Sequence, residues 1–398
     1  MKLWINTESL TPPLTGIGNY TFNLLSALQN IPEIQQIDCF SGYRFSSASH
    51  ALEKCRSACV AVHDKPGPTG TPTHLAVSGT IKHRLRQSAL AYSAREALRN
   101  AAVRITGCSK QRFVYHEPSF ILKAHRGPSV TTIHDLSFIR YPEFHPRQRV
   151  RWLVKQLPRT LERADAIITD SEWVRQEIIQ TYRVDPSIVT AIHLGVAQHY
   201  RPQAAPDARQ VLNRYGLRYG QYLLFIGTLE PRKGVDTLLD AFAALPTVLQ
   251  HSFPLILAGA SGWKNEALQT RIENVARTKT LKHLSFVPEA DLPALYSGAA
   301  LFIAPSLYEG FGLPTLEAMA CGTPTLCTAN TSMAEFSEGA SSLFRRGDSC
   351  HLAERIQHLL EHDDARSELA KKGLQRAGQL TWERCARNTY DVYRRVAV

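Results

Sequence analysis

Two adjacent cations, Arg232 and Lys233, follow an apolar run that reads as a strand, Tyr222 to Gly227, and precede a helical stripe of Val235, Leu238, Leu239 and Phe242. A planar guanidinium fork and a mobile ammonium at a strand-to-helix loop, beside a helix N-terminus, suit the neutralisation of a diphosphate. Further along, Glu309, Gly310, Phe311, Gly312 and Leu313 lead into Pro314 and Glu317, again after an apolar strand, Leu301 to Ala304. Gly310 and Gly312 let backbone amides approach an anion, Pro314 opens a helix where proline is tolerated, and Gly322 closes it. Each carboxylate can accept two hydroxyl hydrogen bonds, which is what vicinal hydroxyls of a sugar require. The spacing of Glu309 and Glu317 occurs about once by chance in a chain of this composition, so the glycines, the proline and the upstream strand carry the signal.

The first half holds a thinner set. Gly16 and Gly18 lie between a strand, Lys2–Asn6, and a helix, Asn19–Leu28, so their amides face whatever fills the adjoining crevice. The pair is not a dinucleotide fingerprint, because position 21 is Thr where a third glycine belongs. His134 and Asp135 stand at the carboxyl end of the strand Ser129–Ile133.

The elements that must position these residues alternate between strand and helix almost throughout, which predicts an α/β architecture with parallel sheets. In the first half, helices are expected at Pro146–Ala164 and Trp173–Thr181 and a strand at Ala166–Thr169. In the second, strands are expected at Pro254–Ala258 and Leu284–Val287, with helices at Asn265–Lys279 and Asp291–Gly298. A polar, proline-containing stretch from His199 to Asp207 separates the two series and suits an exposed linker. Two doubly wound sheets joined there would place their ligands outside the carboxyl ends of the strands, in the crevice between them.

With 398 residues, 44% of them apolar and 20% charged, the chain is an ordinary globular protein large enough for two domains, and disorder or fibrous structure is excluded. Its apolar runs fall short of the ~18 residues that span a bilayer, and Met1 is followed at once by a strand rather than a leader pattern. The expectation is a protein that stays in the cytoplasm. Eight cysteines without a C-x-x-C pair read as reduced core thiols, Cys55 and Cys59 sharing a helix face, and no metal site is expected. The net charge of +11 is uneven: residues 1–200 hold 24 Lys and Arg against 15 Asp and Glu, and residues 201–398 hold 22 against 20. Such a surface can meet nucleic acid, an anionic membrane or a phosphorylated substrate. Nucleic acid is disfavoured, since the aromatics and modules of such binders are missing. On the helix from Pro146, Arg147, Arg151, Lys155 and Arg159 recur every four residues, and Lys82, Arg84, Arg86, Arg95, Arg99 and Arg104 add to them upstream. Together they suggest a face that rests on an anionic membrane surface.

The run from Glu309 to Glu317, with Gly227 to Lys233 and Phe286 to Glu289 before it, resembles the retaining glycosyltransferases of family 4, which have the GT-B fold. The likeness continues through Gly16–Tyr20, Ile133–Asp135, Ala164–Ser171 and Leu194–Val196, and the Trp382, Tyr390 and Tyr393 segment resembles the family's last helices. What it implies is an N-terminal Rossmann-like, acceptor-binding domain over 1–200, a donor-binding one over 201–380, and a terminal helix, 381–398, that packs back on the first. Arg232 and Lys233 would bind the donor diphosphate, and Glu317 the nucleotide ribose. Glu309 would lie at the donor sugar with the amides of Gly310, Phe311, Gly312 and Leu313, and Gly227, Phe286 and Val287 would line the nucleotide. The matching His134 would lie near the donor sugar, where it can bond a hydroxyl. Gly234, where many members have Asn, and Phe344–Arg346 depart from the pattern.

The implied activity is transfer of a hexose, mannose from GDP-mannose first, to a glycan or polyprenyl-pyrophosphate-linked acceptor in cell-surface polysaccharide synthesis. The nucleotide sugar is the donor substrate, and no cofactor or metal is required. The stretch from Ile133 to Glu143 is most similar to bacterial mannosyl- and rhamnosyltransferases of O-antigen or exopolysaccharide synthesis; with the basic face described above, the expectation is a cytoplasmic enzyme that rests peripherally on the cytoplasmic face of the inner membrane. Another GT-B chemistry, such as nucleotide-sugar epimerisation or transfer to a soluble acceptor, is the alternative.

Overall fold

The computed structural model describes residues 1–12, 14–63, 89–260, 262 and 266–397. It contains two sheets. The first has seven strands: β1 (Lys2–Asn6), β2 (Gln36–Ser41), β3 (Arg44–Ser47), β4 (Val114–Glu117), β5 (Ser129–Ile133), β6 (Ala166–Thr169) and β7 (Val189–Ala191), in the order β3-β2-β1-β4-β5-β6-β7. All pairs are parallel except β2 with β3, an edge hairpin turned by Gly42 at φ +67°. The second has six parallel strands: β8 (Leu223–Ile226), β9 (Leu255–Ala258), β10 (Leu281–Leu284), β11 (Leu301–Ala304), β12 (Thr325–Thr328) and β13 (Ser342–Phe344), in the order β10-β9-β8-β11-β12-β13.

Each sheet reverses its winding once, between β1 and β4 in the first and between β8 and β11 in the second. Loops leaving adjacent strands at such a reversal diverge to opposite faces and open a crevice at the carboxyl edge. The cation pair leaves β8 and the Glu309 loop leaves β11, so the second reversal is where they meet. Helices cover both faces of each sheet, and strands such as β8 and β11 are almost wholly buried, as parallel strands between helical layers must be.

The helices Gly16–Leu28, Arg147–Arg163 and Glu172–Tyr182 match the expected ones to within three residues, and the first takes Gly16 and Gly18 into its opening turn. The strand expected at Leu284–Val287 is corrected: it is Leu281–Leu284, an edge strand with Lys282 exposed and His283 half-buried at its middle, so that Phe286 and Val287 fall in the loop beyond it. The stretch expected as linker is also shorter, because Pro206 and Asp207 already belong to the helix Ala205–Arg214. All eight cysteines are free thiols, but Cys108 and Cys350 are exposed rather than in a core.

After β13 the chain forms helices Ser349–Glu361 and Asp363–Ala377, then crosses back so that the last helix, Trp382–Val396, lies on the first domain. There the Tyr393 hydroxyl lies 2.7 Å from Nδ1 of the buried His116, and Trp382 meets the edge of Tyr20 with ring centroids 6.1 Å apart. The two crossings between domains run side by side: Val196 pairs with Thr381, its N–H donates to the Leu380 carbonyl at 3.0 Å, and a Cβ on Gly195 would fall 2.1 Å from Trp382 N.

Candidate functional site

The loop after β8 forms a 3₁₀ turn, Pro231–Lys233, that delivers Arg232 and Lys233 to the carboxyl edge. Gly234 then reverses into the helix Val235–Ala244 with φ +66°, and a Cβ there would sit 2.1 Å from the Pro305 carbonyl oxygen. Only glycine combines that conformation with that contact, which accounts for the absence of Asn. From β11, Ser306 to Gly312 curls over the same edge, tied by Leu307 N–H to the Arg232 carbonyl at 2.9 Å.

The charges converge on Glu309. Lys233 Nζ donates to its Oε1 at 2.5 Å, Arg232 to its Oε2 at 3.2 Å, and Ser306 Oγ to Oε1 at 2.7 Å. Arg232 also donates to the Tyr308 carbonyl at 2.8 Å and to Glu230 at 2.7 Å. Burial alone would push the Glu309 carboxyl up, but Lys233 and Arg232 outweigh it and hold its pKa down at about 2. Burial likewise works against the Arg232 cation, and Glu309, Asp135 and Glu230 overcome it and raise its pKa. Arg232 Nε is buried without a partner. The clamp thus has two fixed cations held by carboxylates, one guanidinium N–H unpaired, in a site where an anion could displace or share those partners.

Glu317 stands in the helix Leu313–Ala320, whose N-cap is Gly312 at φ +107°. It is removed from the cations, and Tyr296 donates its hydroxyl to Oε2 at 2.8 Å. Burial pushes its carboxyl up to about 7, with Glu289 adding to the rise and the Tyr296 and Tyr200 hydroxyls opposing it. Gly227 ends β8, and Gly259 packs on it so closely that a Cβ would lie 2.0 Å from the Gly227 carbonyl oxygen. Phe286 is 58% exposed in the loop after β10, with Val287 partly buried beside it. Phe311 turns inward and stacks on Phe336 at 4.4 Å, so it offers its backbone, not its ring, to the crevice.

The first domain meets this edge directly. A Cβ on Gly310 would lie 1.9 Å from the His134 carbonyl oxygen, Ser171 Oγ donates to the Gly310 carbonyl at 2.8 Å, and Leu136 N–H donates to the Tyr308 hydroxyl at 2.9 Å. Tyr308 in turn donates to Glu177. The imidazole of His134 is committed elsewhere: Nε2 donates to the Pro118 carbonyl and Nδ1 bonds Asp170, both at 2.7 Å. Burial opposes its protonation, but Asp170 prevails and raises its pKa. Both ring nitrogens are thus engaged within the first domain, and the group that His134 presents to Gly310 is its backbone carbonyl. Gly16 and Gly18 open the helix behind β1, where the first N–H groups lack intrahelical acceptors.

Sequence reasoning missed Glu230, Tyr308, Asp170, Ser171 and Tyr296. Glu230 lies inside the quoted run Gly227 to Lys233, Asp170 and Ser171 inside Ala164–Ser171, and Tyr308 beside Glu309, but none of them has a role there; Asp170 and Tyr296 act on partners 36 and 21 residues away, a distance no local pattern encodes.

Two parallel-sheet Rossmann-like domains, with a cation and carboxylate cluster at the winding reversal of the second, define a GT-B glycosyltransferase. The profile described as Glycosyltransferase Family 4 matches residues 15–199, and that described as Glycosyl transferases group 1 matches residues 218–376. The O-antigen chain mannosyltransferase B of Escherichia coli is 33% identical over 99% of this chain and 100% of its own length. A D-inositol 3-phosphate glycosyltransferase of Salinispora tropica is 27% identical over 98% of this chain and 84% of its own. Among solved structures, Anabaena HepE in complex with UDP and glucose superposes with a TM-score of 0.70 at 20% identity, covering 99% of both chains. WaaG, a glycosyltransferase involved in lipopolysaccharide biosynthesis, gives 0.68 at 16%, covering 98% of this chain and 99% of its own. The chain belongs to glycosyltransferase family 4, and it is an enzyme of that class.

The raised Glu317 carboxyl has a consequence for stability. A carboxyl whose folded pKa lies above its unfolded one favours folding most below the unfolded value, near 4.5, and loses that contribution as pH rises through about 7. Glu317→Gln, which cannot ionise, should therefore gain in melting temperature relative to the unsubstituted protein between pH 5 and pH 8. A constant difference across that range, measured by calorimetry, would contradict the assigned environment.

Proposed function

We propose that this enzyme transfers mannose from GDP-mannose, with retention of anomeric configuration, to a lipid-pyrophosphate-linked glycan of a cell-surface polysaccharide. The observation that carries the reading is the Arg232, Lys233 and Glu309 cluster at the winding reversal. The choice of sugar and pathway is supported by full-length likeness to the Escherichia coli O-antigen mannosyltransferase. As the bond from the anomeric carbon to the diphosphate oxygen breaks, negative charge gathers on the leaving group. Arg232, Lys233 and the amides at Gly310–Leu313 and Gly16–Gly18 would neutralise it from positions fixed before the reaction. That requires no metal. The acceptor hydroxyl would attack on the face the diphosphate leaves and pass its proton to the departing phosphate oxygen. Glu309, ionised throughout, would release part of its hold on the cations to the diphosphate and turn to a sugar hydroxyl. Glu317 would accept the ribose hydroxyls, with Gly227, Phe286 and Val287 along the nucleoside.

No helix among the described residues is long and apolar enough to cross a membrane. Arg147, Arg151, Lys155 and Arg159 are all exposed along one helix whose Leu153, Leu157 and Leu161 are buried, and Val154 is 48% exposed among them. With Arg104, which is also exposed, this is the described part of the face proposed to rest on the anionic cytoplasmic leaflet; Arg99 does not belong to it, since it pairs with Glu8 at 3.1 Å and is mostly buried, and the side chains of Lys82, Arg84, Arg86 and Arg95 lie outside the described residues. There each cation would contribute about 1 kcal/mol to attraction.

A thermal-shift panel of GDP, UDP, ADP and their sugars should show the largest rise in melting temperature with GDP and GDP-mannose, because a ligand of the native state alone stabilises it by mass action. A larger rise with UDP would overturn the donor assignment. Lys233→Ala should lower turnover by about a hundredfold while the protein stays folded, since the lost charge acts on the leaving group. Arg232→Ala should lower it as far and also the melting temperature, because Glu230 and Glu309 would keep buried charge without their guanidinium partner. Near-normal turnover of both would refute the clamp. Vesicles containing anionic lipid should sediment the protein at low salt and release it at high salt. Joint replacement of Arg147, Arg151, Lys155 and Arg159 by Glu should abolish sedimentation; unsubstituted protein that ignores such vesicles at low salt would leave a soluble acceptor as the better reading.

A further inference from the structure

Glu335 joins the two domains at the rear of the cleft. It lies in the short helix Ser332–Phe336 after β12. Its carboxylate reaches into the first domain, where Oε1 accepts the N–H of Glu172 at 2.8 Å and Oε2 that of Trp173 at 2.8 Å, with His193 Nε2 2.7 Å from Oε1. Glu172 and Trp173 open the helix Glu172–Tyr182, so their N–H groups have no acceptor within it, and the positive end of the helix favours an anion. Burial works against the Glu335 charge, but His193 and the two N–H groups outweigh it and hold its carboxyl below the ordinary range. The cap of the same helix, Ser171, accepts from Val174 N–H and gives its own proton to the Gly310 carbonyl. One helix N-terminus therefore receives both Glu335 and the loop that carries Glu309.

The other side of Ser332–Phe336 bears on that loop from behind. Ser332 Oγ lies 2.8 Å from the Glu309 carbonyl oxygen and 3.2 Å from that of Phe311. Met333 fills the space that a Cβ on Gly312 would need, its Cγ 2.5 Å from that position, and Phe336 stacks on Phe311. A displacement of this helix cannot leave Glu309 to Gly312 where they are, because close-packed side chains transmit it.

The geometry points to Glu335 as a positioning residue: its clasp on the helix Glu172–Tyr182 couples the approach of the two domains to the placement of the Glu309–Gly312 loop for transfer. The inference rests on the donor reading of that loop. It separates Glu335 from the groups that touch the nucleotide, since no part of the clasp belongs to the Arg232, Lys233 and Glu317 set. A cavity of about 310 Å³ lined by Glu172, His193, Glu335, Arg376, Thr381 and Arg384 adjoins the carboxylate, so a shortened side chain opens onto existing space rather than a new void.

The test compares Glu335→Ala and Glu335→Gln with the unsubstituted enzyme in three measurements: GDP affinity by calorimetry, turnover with GDP-mannose, and the radius of gyration with GDP bound by solution scattering. Glu335→Ala should hold GDP within about twofold of normal, lose at least about tenfold in kcat, and scatter as a more open particle, which separates positioning from nucleotide binding. Glu335→Gln, which keeps a carbonyl oxygen for one N–H group, should fall between. Normal turnover and an unchanged radius in Glu335→Ala would overturn the proposal. A loss of GDP affinity as large as the loss of turnover would overturn it too, making Glu335 a prop of the nucleotide site. If even the unsubstituted enzyme fails with GDP-mannose, it is the donor reading that fails. Scattering with the nucleotide that gives the largest thermal shift then decides the clasp: a more open Glu335→Ala supports it and an identical radius overturns it.

Discussion

A carboxylate withdrawn from water between a guanidinium and an ammonium governs the architecture of the second domain. Charge in that setting is tolerable only when its partners are close and their remaining hydrogen bonds are met. Glu309 meets the condition through Lys233, Arg232 and Ser306; Arg232 meets it at its two terminal nitrogens, through Glu309, Glu230 and the Tyr308 carbonyl, and leaves only its Nε–H without a partner. Partners on separate loops must be brought within hydrogen-bond distance, which forces β8 and β11 to be neighbours, and in a parallel sheet wound to both sides that happens only at the reversal. The left-handed turn at Gly234, jammed against Pro305, follows from the same demand. Fold and chemistry are one constraint here: a site that gathers this much buried charge has to be assembled where the chain direction permits several loop ends to converge.

Much of this was legible in the residues. The apolar runs Leu301–Ala304 and Ala166–Thr169 are fully buried strands that contrast sharply with their flanks, and they were found at their true limits. Arg232, Lys233, Glu309 and the two glycines could be grouped because all are local to the strand ends that present them. What escaped notice lacks that contrast. β4 carries His116 and Glu117 in its buried run, their polarity satisfied by Thr132, Tyr393, Asn6, Tyr115 and Ser119, so its composition does not read as a core strand. β12, Thr-Leu-Cys-Thr, hides for the same reason, and β7 and β13 have only three residues each. β10 was displaced because its own middle is polar while the loop after it is apolar.

The case of His134 shows how position and role part company. The residue follows β5 at the carboxyl edge, yet the side chain turns back into its own domain and pairs with Asp170, at the end of β6. Adjacent parallel strands put those two residues side by side, so the pair is a product of register rather than of any sequence motif. The backbone is what crosses to Gly310. Much of the contact between the domains is of that kind: a carbonyl at His134, a carbonyl at Gly310, amides at Glu172 and Trp173. Such groups are present whatever the side chain, which is why the loops can be recognised while the bonds they make cannot.

The side-by-side crossings at Val196 and Thr381 have an implication for how the molecule is made. The second domain is inserted into the first, since the chain leaves at about Val196 and returns at Thr381 to lay down Trp382–Val396 against Tyr20 and His116. During synthesis, the first domain emerges without the helix that shields this part of its core, while the inserted domain has all its strands by Phe344 and its core helices, Ser349–Glu361 and Asp363–Ala377, directly after them. Domains fold as units from the N-terminus onward, and apolar surface left waiting is prone to association. The domain that is translated first is therefore completed after the inserted one, once Trp382–Val396 has been made.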